Sequence, residues 1–235
     1  MPSLGGSGPS QGNVHPSAQG VPDRLTAENE KIIRFSNDDL TGFRLSDGYA
    51  NNAPFDCFWS SSAVRFEADK MLMSVVEREY NYFGAECRSR ASYSYGFYSV
   101  SMKAAKCSGV ISSFFTYTSN GGWDEIDIEF LGKDTTHVQF NYYTKGVGGH
   151  EFYYDLGFDG ADDFHEYAFM WQPDSITWYV DGKAVYRATD NIPTLPTQIM
   201  MNVWNCAGHD GWSGKFDPTA LPATAEYKWI GYSAA

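Results

Sequence analysis

The sequence predicts an all-β protein, and three observations carry that prediction. Aromatic residues reach 17% and glycines number 23 in 235 residues, a composition suited to strands joined by tight turns. The 3.6-residue apolar periodicity of amphipathic helices is nearly absent. Residues 123–132, WDEIDIEFLG, instead alternate carboxylates with Ile, Ile and Phe at a strict period of two. The length suits one large domain, since all-β sandwiches of this size form a single core.

Residues 1–28 are rich in Gly, Ser, Pro and Gln and carry almost no large apolar side chain, so they read as a flexible tail preceding a single domain over 29–235. His15 within them reads as solvated. From Lys31 onward KIIRF, AVRFEAD, MLMSVVERE and GFYSVSMKAA follow one another, each partly alternating and bounded by turn residues, which implies an antiparallel meander. VISSFFTYT then leads into the acidic strand, and the two are placed to floor one groove. HVQFNYYTKG, a Gly-rich turn and EFYYDLGFD come next. In residues 165–189 Asp181-Gly182 stands between β-rich arms, the mark of a two-residue hairpin. IMMNVWNCAG and TAEYKWIGYS supply two more strands, the last closing the sheet near the N-terminal strands.

A formal charge of -12 and a pI near 4.7 argue against nucleic acid and anionic membranes as partners, because both select basic patches. No apolar run approaches the ~20 residues of a membrane span, and no basic segment followed by an apolar one marks a signal peptide at the start of the chain. Abundant aromatics in an acidic chain suit a neutral sugar polymer, whose C–H faces stack on rings. Cys57, Cys87, Cys107 and Cys206 lack zinc spacing. They allow three pairings, or four buried thiols.

In the acidic strand, period two puts Glu125, Asp127 and Glu129 on one face and Ile126, Ile128 and Phe130 in the core. Like charges this close need a reason. Glycoside hydrolysis supplies one: it needs one ionised carboxyl to attack the anomeric carbon and one protonated carboxyl to donate to the leaving oxygen. Glu125 and Glu129 suit these roles, with Asp127 between them tuning both. In a flat strand their Cα atoms would lie about 13 Å apart at ~3.3 Å per residue. Retaining enzymes hold the carboxyls about 5–5.5 Å apart, so the strand must bend toward its substrate.

The run WDEIDIEFLGKDTTHVQFNYYTKGVGGHE resembles the active-site strand of the licheninases, the endo-1,3-1,4-β-glucanases of glycoside hydrolase family 16. SMKAAKCSGVISSFFTYT, GFDGADDFHEYAFMWQPDSITWYVDG and NIPTLPTQIMMNVWN extend the resemblance over roughly Arg34 to Tyr232. It implies a concanavalin-like jelly roll of two curved antiparallel sheets, with substrate lying across the concave one. It makes Glu125 the nucleophile, Glu129 the general acid/base and Asp127 the assisting acid of a retaining, secreted, monomeric enzyme without cofactor. Mixed-linkage β-glucan is the substrate it implies, since relatives acting on laminarin or carrageenan typically insert a residue, E-x-D-x-x-E. The implied cleft residues are Asn51, Glu86, Arg88, Phe115, Tyr117, Trp123, Gln139, Asn141, Tyr143, Asn202 and Trp204. Parity supports two of these sets: Glu86 and Arg88 share a face, as do Gln139, Asn141 and Tyr143.

The chain departs from the family at several points. The loop from Tyr117 to Trp123 is short. The family's partner for Cys57 is Gly84 here, and Cys107–Cys206 becomes the favoured bridge. Lys228 replaces an Asp of the family's calcium site, which opposes a cation there. A xyloglucan endotransglycosylase or hydrolase shares the bulge-free acidic strand, but usually carries a cysteine-containing C-terminal extension. A non-catalytic sugar-binding jelly roll would have no need of three adjacent acids.

Overall fold

The computed structural model describes residues 14–24, 31–35, 40–118 and 121–235. The chain enters through β1 (Lys31–Arg34), β2 (Phe43–Leu45), β3 (Tyr49–Ala50), β4 (Phe58–Trp59) and β5 (Val64–Glu67). Longer strands follow: β6 (Lys70–Arg78), β7 (Asn81–Ser89), β8 (Gly96–Lys103), β9 (Val110–Tyr117), β10 (Glu125–Leu131) and β11 (His137–Tyr143). The chain ends through β12 (Phe152–Asp155), β13 (His165–Gln172), β14 (Ser175–Val180), β15 (Lys183–Ala188), β16 (Gln198–Asn205) and β17 (Ala223–Ala234).

β3 pairs with β4, which runs parallel to the start of β7. All the other strands form two antiparallel sheets. One runs β5-β6-β17-β8-β13-β14-β15, with β1 sharing the edge of β17 that β6 also uses. The other runs β2-β7-β16-β9-β10-β11-β12 and carries the acidic strand near its centre. The β6–β7 hairpin ties them, because Val76–Arg78 pairs with Asn81–Phe83 before each strand continues into its own sheet. The expected Asp181-Gly182 hairpin joins β14 to β15, and β17 closes onto β1 as expected.

The core lies between the sheets. Ile126, Ile128 and Phe130 are fully buried there, opposite in parity to the acids, each contributing about 1.5–3 kcal/mol by burial. Facing them, Trp178 of β14 stacks on Phe140 and donates from Nε1 to the Asp127 carbonyl at 3.1 Å. Tyr227 of β17 likewise donates to the Ser113 carbonyl at 3.0 Å. Polar atoms in the core are thus spent on fixing the backbone beneath the acidic row.

Three expectations need correction. The flexible tail over 1–28 does not hold for residues 14–24; residues 1–13 and 25–28 lie outside the described residues. Segment 14–24 docks on the free edge of β15, where His15 N donates to Val185 O at 3.0 Å and Arg187 N to Ser17 Oγ at 3.0 Å. An edge strand offers unpaired backbone groups, and a polar segment with one buried anchor, Ala18, suffices to cover them. His15 is therefore no solvated residue: its ring meets Phe152 and Tyr186 edge-on at 5.0 and 5.3 Å.

The Cys107–Cys206 bridge is also absent. All four cysteines are free and buried. Cys107 Sγ donates instead to Asp217 O at 3.4 Å, while Cys206 joins Cys57, Trp59 and Trp204 in a small cluster outside the main core. A Cβ placed on Gly84 would sit 2.7 Å from Cys57 Sγ, so the missing familiar partner of Cys57 is a missing side chain and not a moved strand. At the position of the family's calcium site Lys228 Nζ lies 4.1 Å from the centre of the Phe164 ring, and a resident cation there does not suit a metal ligand set. Among the described residues no three His, Cys, Asp or Glu side chains gather as metal ligands.

Candidate active site

The outward face of the second sheet is organised as cross-strand rows. Glu125 stands between Tyr143 of β11 and Tyr117 of β9. Asp127 stands between Asn141 and Phe115, and the row continues through Met200 of β16 to Arg88 of β7. Glu129 stands between Gln139 and Ser113, and its row continues through Asn202 to Glu86. Registers on both sides of β10 run from Glu125 onward without a shift, so the acids occupy consecutive outward positions with no bulge between them.

A hollow of about 490 Å³ lies over these rows. Asn51, Glu86, Arg88, Phe115, Tyr117, Trp123, Glu125, Asp127, Glu129, Asn202 and Trp204, all expected from the sequence, line it. The remaining three expected residues stand one strand further out. Gln139 lines a neighbouring recess of about 260 Å³ with Tyr153 and His137. Tyr143 stacks on Trp123 with centroids 5.1 Å apart. Asn141 is buried, and its Oδ1 accepts from Tyr142 N at 2.9 Å.

Each acid has its own environment. Glu125 Oε2 accepts from Trp123 Nε1 at 2.6 Å, and Glu129 Oε2 accepts from Gln139 Nε2 at 2.7 Å. Burial pushes Glu125 up to about 7, against the pull of the Trp123 and Asp127 hydrogen bonds. Burial, then the charge of Glu125, pushes Glu129 up to about 8. Burial and the charges of Glu125 and Glu129 hold Asp127 well above the usual carboxylate range, and its hydrogen bond to Glu125 raises it further. Asp127 is thereby biased toward its protonated form, in which it donates a hydrogen bond to Glu125.

The head of the acidic strand is pinned by Asp124, a fully buried carboxylate. Its Oδ1 accepts from Lys145 N at 2.8 Å, and its Oδ2 from Thr194 N at 2.7 Å and Leu195 N at 2.9 Å. Trp123 beside it adopts a left-handed φ of 41°, and this turn, not strand parity, swings the indole over Glu125. Across the hollow Arg88 pairs with Glu86, and both bond Ser46 and Tyr49. Trp204 is wedged between Phe55, at 4.2 Å, and Trp212, at 6.3 Å.

Sequence reasoning missed Tyr49, Phe55, Ser113 and Met200 in the lining, together with Asp124. Ser113 and Met200 were legible: each lies two residues from an expected cleft residue on its strand. Tyr49 and Phe55 sit in a short strand and a loop, where no periodicity points to a face.

Comparison with known proteins agrees with this geometry. The profile of glycosyl hydrolases family 16 matches residues 51–231. A β-glucanase of Paenibacillus macerans is 54% identical over 194 residues, covering 80% of this chain and 81% of the relative. A β-glucanase of Acetivibrio thermocellus is 51% identical over 208 residues, covering 86% of this chain but 61% of that longer protein. Among solved structures, a prokaryotic β-1,3-1,4-glucanase, or lichenase, from a mouse hindgut metagenome superposes with a TM-score of 0.84. It is 45% identical, and the match covers 88% of this chain and 99% of that one.

Proposed function

The chain belongs to glycosyl hydrolases family 16, and from that membership we propose that it is a retaining endo-β-1,3-1,4-glucanase cleaving β-1,4 bonds next to β-1,3 bonds in mixed-linkage glucans. The observation that carries the proposal is the unbulged row Glu125, Asp127, Glu129 on the floor of an aromatic cleft, where burial raises all three carboxyls above their ordinary range.

In the first step the Glu125 carboxylate attacks the anomeric carbon while Glu129 gives its proton to the departing glycosidic oxygen, and the C–O bond breaks. Asp127 donates a hydrogen bond to Glu125 and, being neutral, adds no charge against the ionised nucleophile. In the second step Glu129, now ionised, takes a proton from water, which attacks the same carbon and releases Glu125. Configuration is retained after two inversions. Trp123, Phe115, Tyr117 and Trp204 offer faces for pyranose rings, and Asn51, Asn202, Glu86 and Arg88 offer groups for equatorial hydroxyls. Secretion and a monomeric state fit an enzyme whose polymer substrate lies outside the cell.

The test is incubation with barley β-glucan, lichenan, laminarin, carboxymethylcellulose and xyloglucan, followed by analysis of product size and linkage. Mixed-linkage polymers should be cut to short oligosaccharides with a β-1,3 bond near the new reducing end. Release from laminarin alone would refute the assignment, and turnover of xyloglucan would favour the transglycosylase reading. Glu125→Gln should lower turnover by about 10³-fold or more while leaving binding intact.

A further inference from the structure

A second hollow, of about 310 Å³, adjoins the catalytic one, and nothing in the two-step chemistry uses it. Ala50, Phe55, Asp56, Phe58, Tyr80 and Tyr82 are among its lining residues. Phe55 lines both hollows, and Ala50 in this one is chain neighbour to Asn51 in the other. A polymer running out of the cleft past Phe55 therefore enters it.

Its rim carries two of the most exposed large rings in the described chain, Tyr80 at 97% and Phe58 at 47%. Tyr80 sits at the tip of the β6–β7 hairpin, where Glu79 and Tyr80 have left-handed φ values of 49° and 64°. Such a two-residue turn favours Asn-Gly, and a bulky aromatic in it is locally disfavoured. The ring returns nothing to the fold, being almost wholly exposed, so stability does not explain its presence.

The turn is nonetheless held rigidly. Asn81 Nδ2 donates to Glu79 O at 3.0 Å, Arg78 donates to Ser62 O at 3.1 Å, and the Arg78 guanidinium lies 5.7 Å from the Phe83 ring, which in turn packs on Phe58. Tyr82 is braced edge-on against Phe216 at 4.9 Å. Among the described residues no Lys, Arg or His lines the hollow; its polar groups include the Asp56 carboxylate and the Asn81 amide. Exposed rings on a braced turn, with hydrogen-bonding groups and no cation, suit a neutral polyol chain and not an anionic polysaccharide.

We propose that the hollow between Phe55, Phe58 and Tyr80 is a distal binding site for the glucan chain, engaging sugars beyond those held over the acidic row and favouring long polymers over short oligosaccharides. The site rests on the glucanase reading for the identity of its ligand, but its geometry is independent of the acids. The Tyr80 and Phe58 rings would cover sugar faces from the rim while Tyr82 forms part of the floor.

The test uses Tyr80→Gly, which removes the ring and relieves the left-handed backbone at once. Thermal stability should hold or rise, whereas a residue kept for packing would lose it. KM for long barley β-glucan should rise about three- to tenfold, with KM for a short mixed-linkage aryl glycoside unchanged. Phe58→Ala should act in the same direction. The same substitution in a Glu125→Gln background should reduce retention in affinity gels containing barley β-glucan, lichenan, laminarin or xyloglucan, whichever polymer the parent binds. If the wild type cuts neither mixed-linkage substrate, the glucanase reading fails while the gels still read Tyr80. Equal effects on long and short substrates, unchanged retention, retention of the parent on no polymer, or a change in sedimentation without a change in retention would each overturn the distal site. The last of these would assign the rings to a contact between copies of the chain.

Discussion

Replacing Glu129 with Gln should stabilise the protein at pH 9 and leave it nearly unchanged at pH 5. Burial and the charge of Glu125 raise the folded-state value from the ordinary 4.5 to about 8. Between those values the folded chain holds a proton that the unfolded chain has released, so stability falls as pH rises through this window. The gap of about 3.5, at 1.36 kcal/mol per pH unit, sets a ceiling of about 5 kcal/mol. Glu129 is partly exposed and shares its titration with Glu125 and Asp127, so about 2 kcal/mol is the portion assignable to it alone. Gln keeps a hydrogen-bonding partner for Gln139 but cannot ionise. At ~2–4 °C per kcal/mol for a chain of this size, the variant should melt about 4–8 °C above the wild type at pH 9. Calorimetry at pH 5, 7 and 9 reads the difference. A gain of equal size at all three pH values, or a lower melting temperature at pH 9, would refute the idea that the acidic row is held protonated against its own repulsion.

Activity should follow a bell: kcat/KM rises as Glu125 ionises near about 7 and falls as Glu129 loses its proton near about 8, read from initial rates on barley β-glucan across pH 4 to ~10. Asp127→Asn should lower kcat by roughly 10–100-fold and move the acid limb, because the proton shared with Glu125 is removed; an unmoved limb would take Asp127 out of that role. Trp178→Phe removes the indole hydrogen bond to the Asp127 carbonyl and should cost about 1–3 kcal/mol in urea unfolding, with kcat falling more than KM rises. Thiol titration should count four reactive groups per chain in denaturant and almost none in the native state, where burial raises Cys57 and Cys87 to about 12; fewer than four in denaturant would reveal a bridge.

The acidic row and its facing core were legible because a strand has a period of two, and a half-buried strand cannot slip by one residue without burying its carboxylates. The same logic placed Glu86 with Arg88, and Gln139 with Asn141 and Tyr143. Where the backbone leaves regular structure that logic stops. Trp123 reaches Glu125 through a left-handed residue, and Tyr49 and Phe55 reach the cleft from a two-residue strand and a loop. Segment 14–24 looked unable to order itself because it lacks apolar residues, yet it needed only a free strand edge to pair with, and an edge is created by the assembled sheet.

Local chemistry along the chain thus dictated strand identity, facing and the three acids, since each depends on neighbours two residues away. The raised proton affinities of those acids, the bracing of Glu86 and Arg88 by Ser46 and Tyr49 and the pinning of two loops by Asp124 arose only on folding. These depend on burial or on partners tens of residues distant, and neither the strand register that brings Gln139 to Glu129 nor the loop that brings Thr194 to Asp124 is written in a single stretch of sequence.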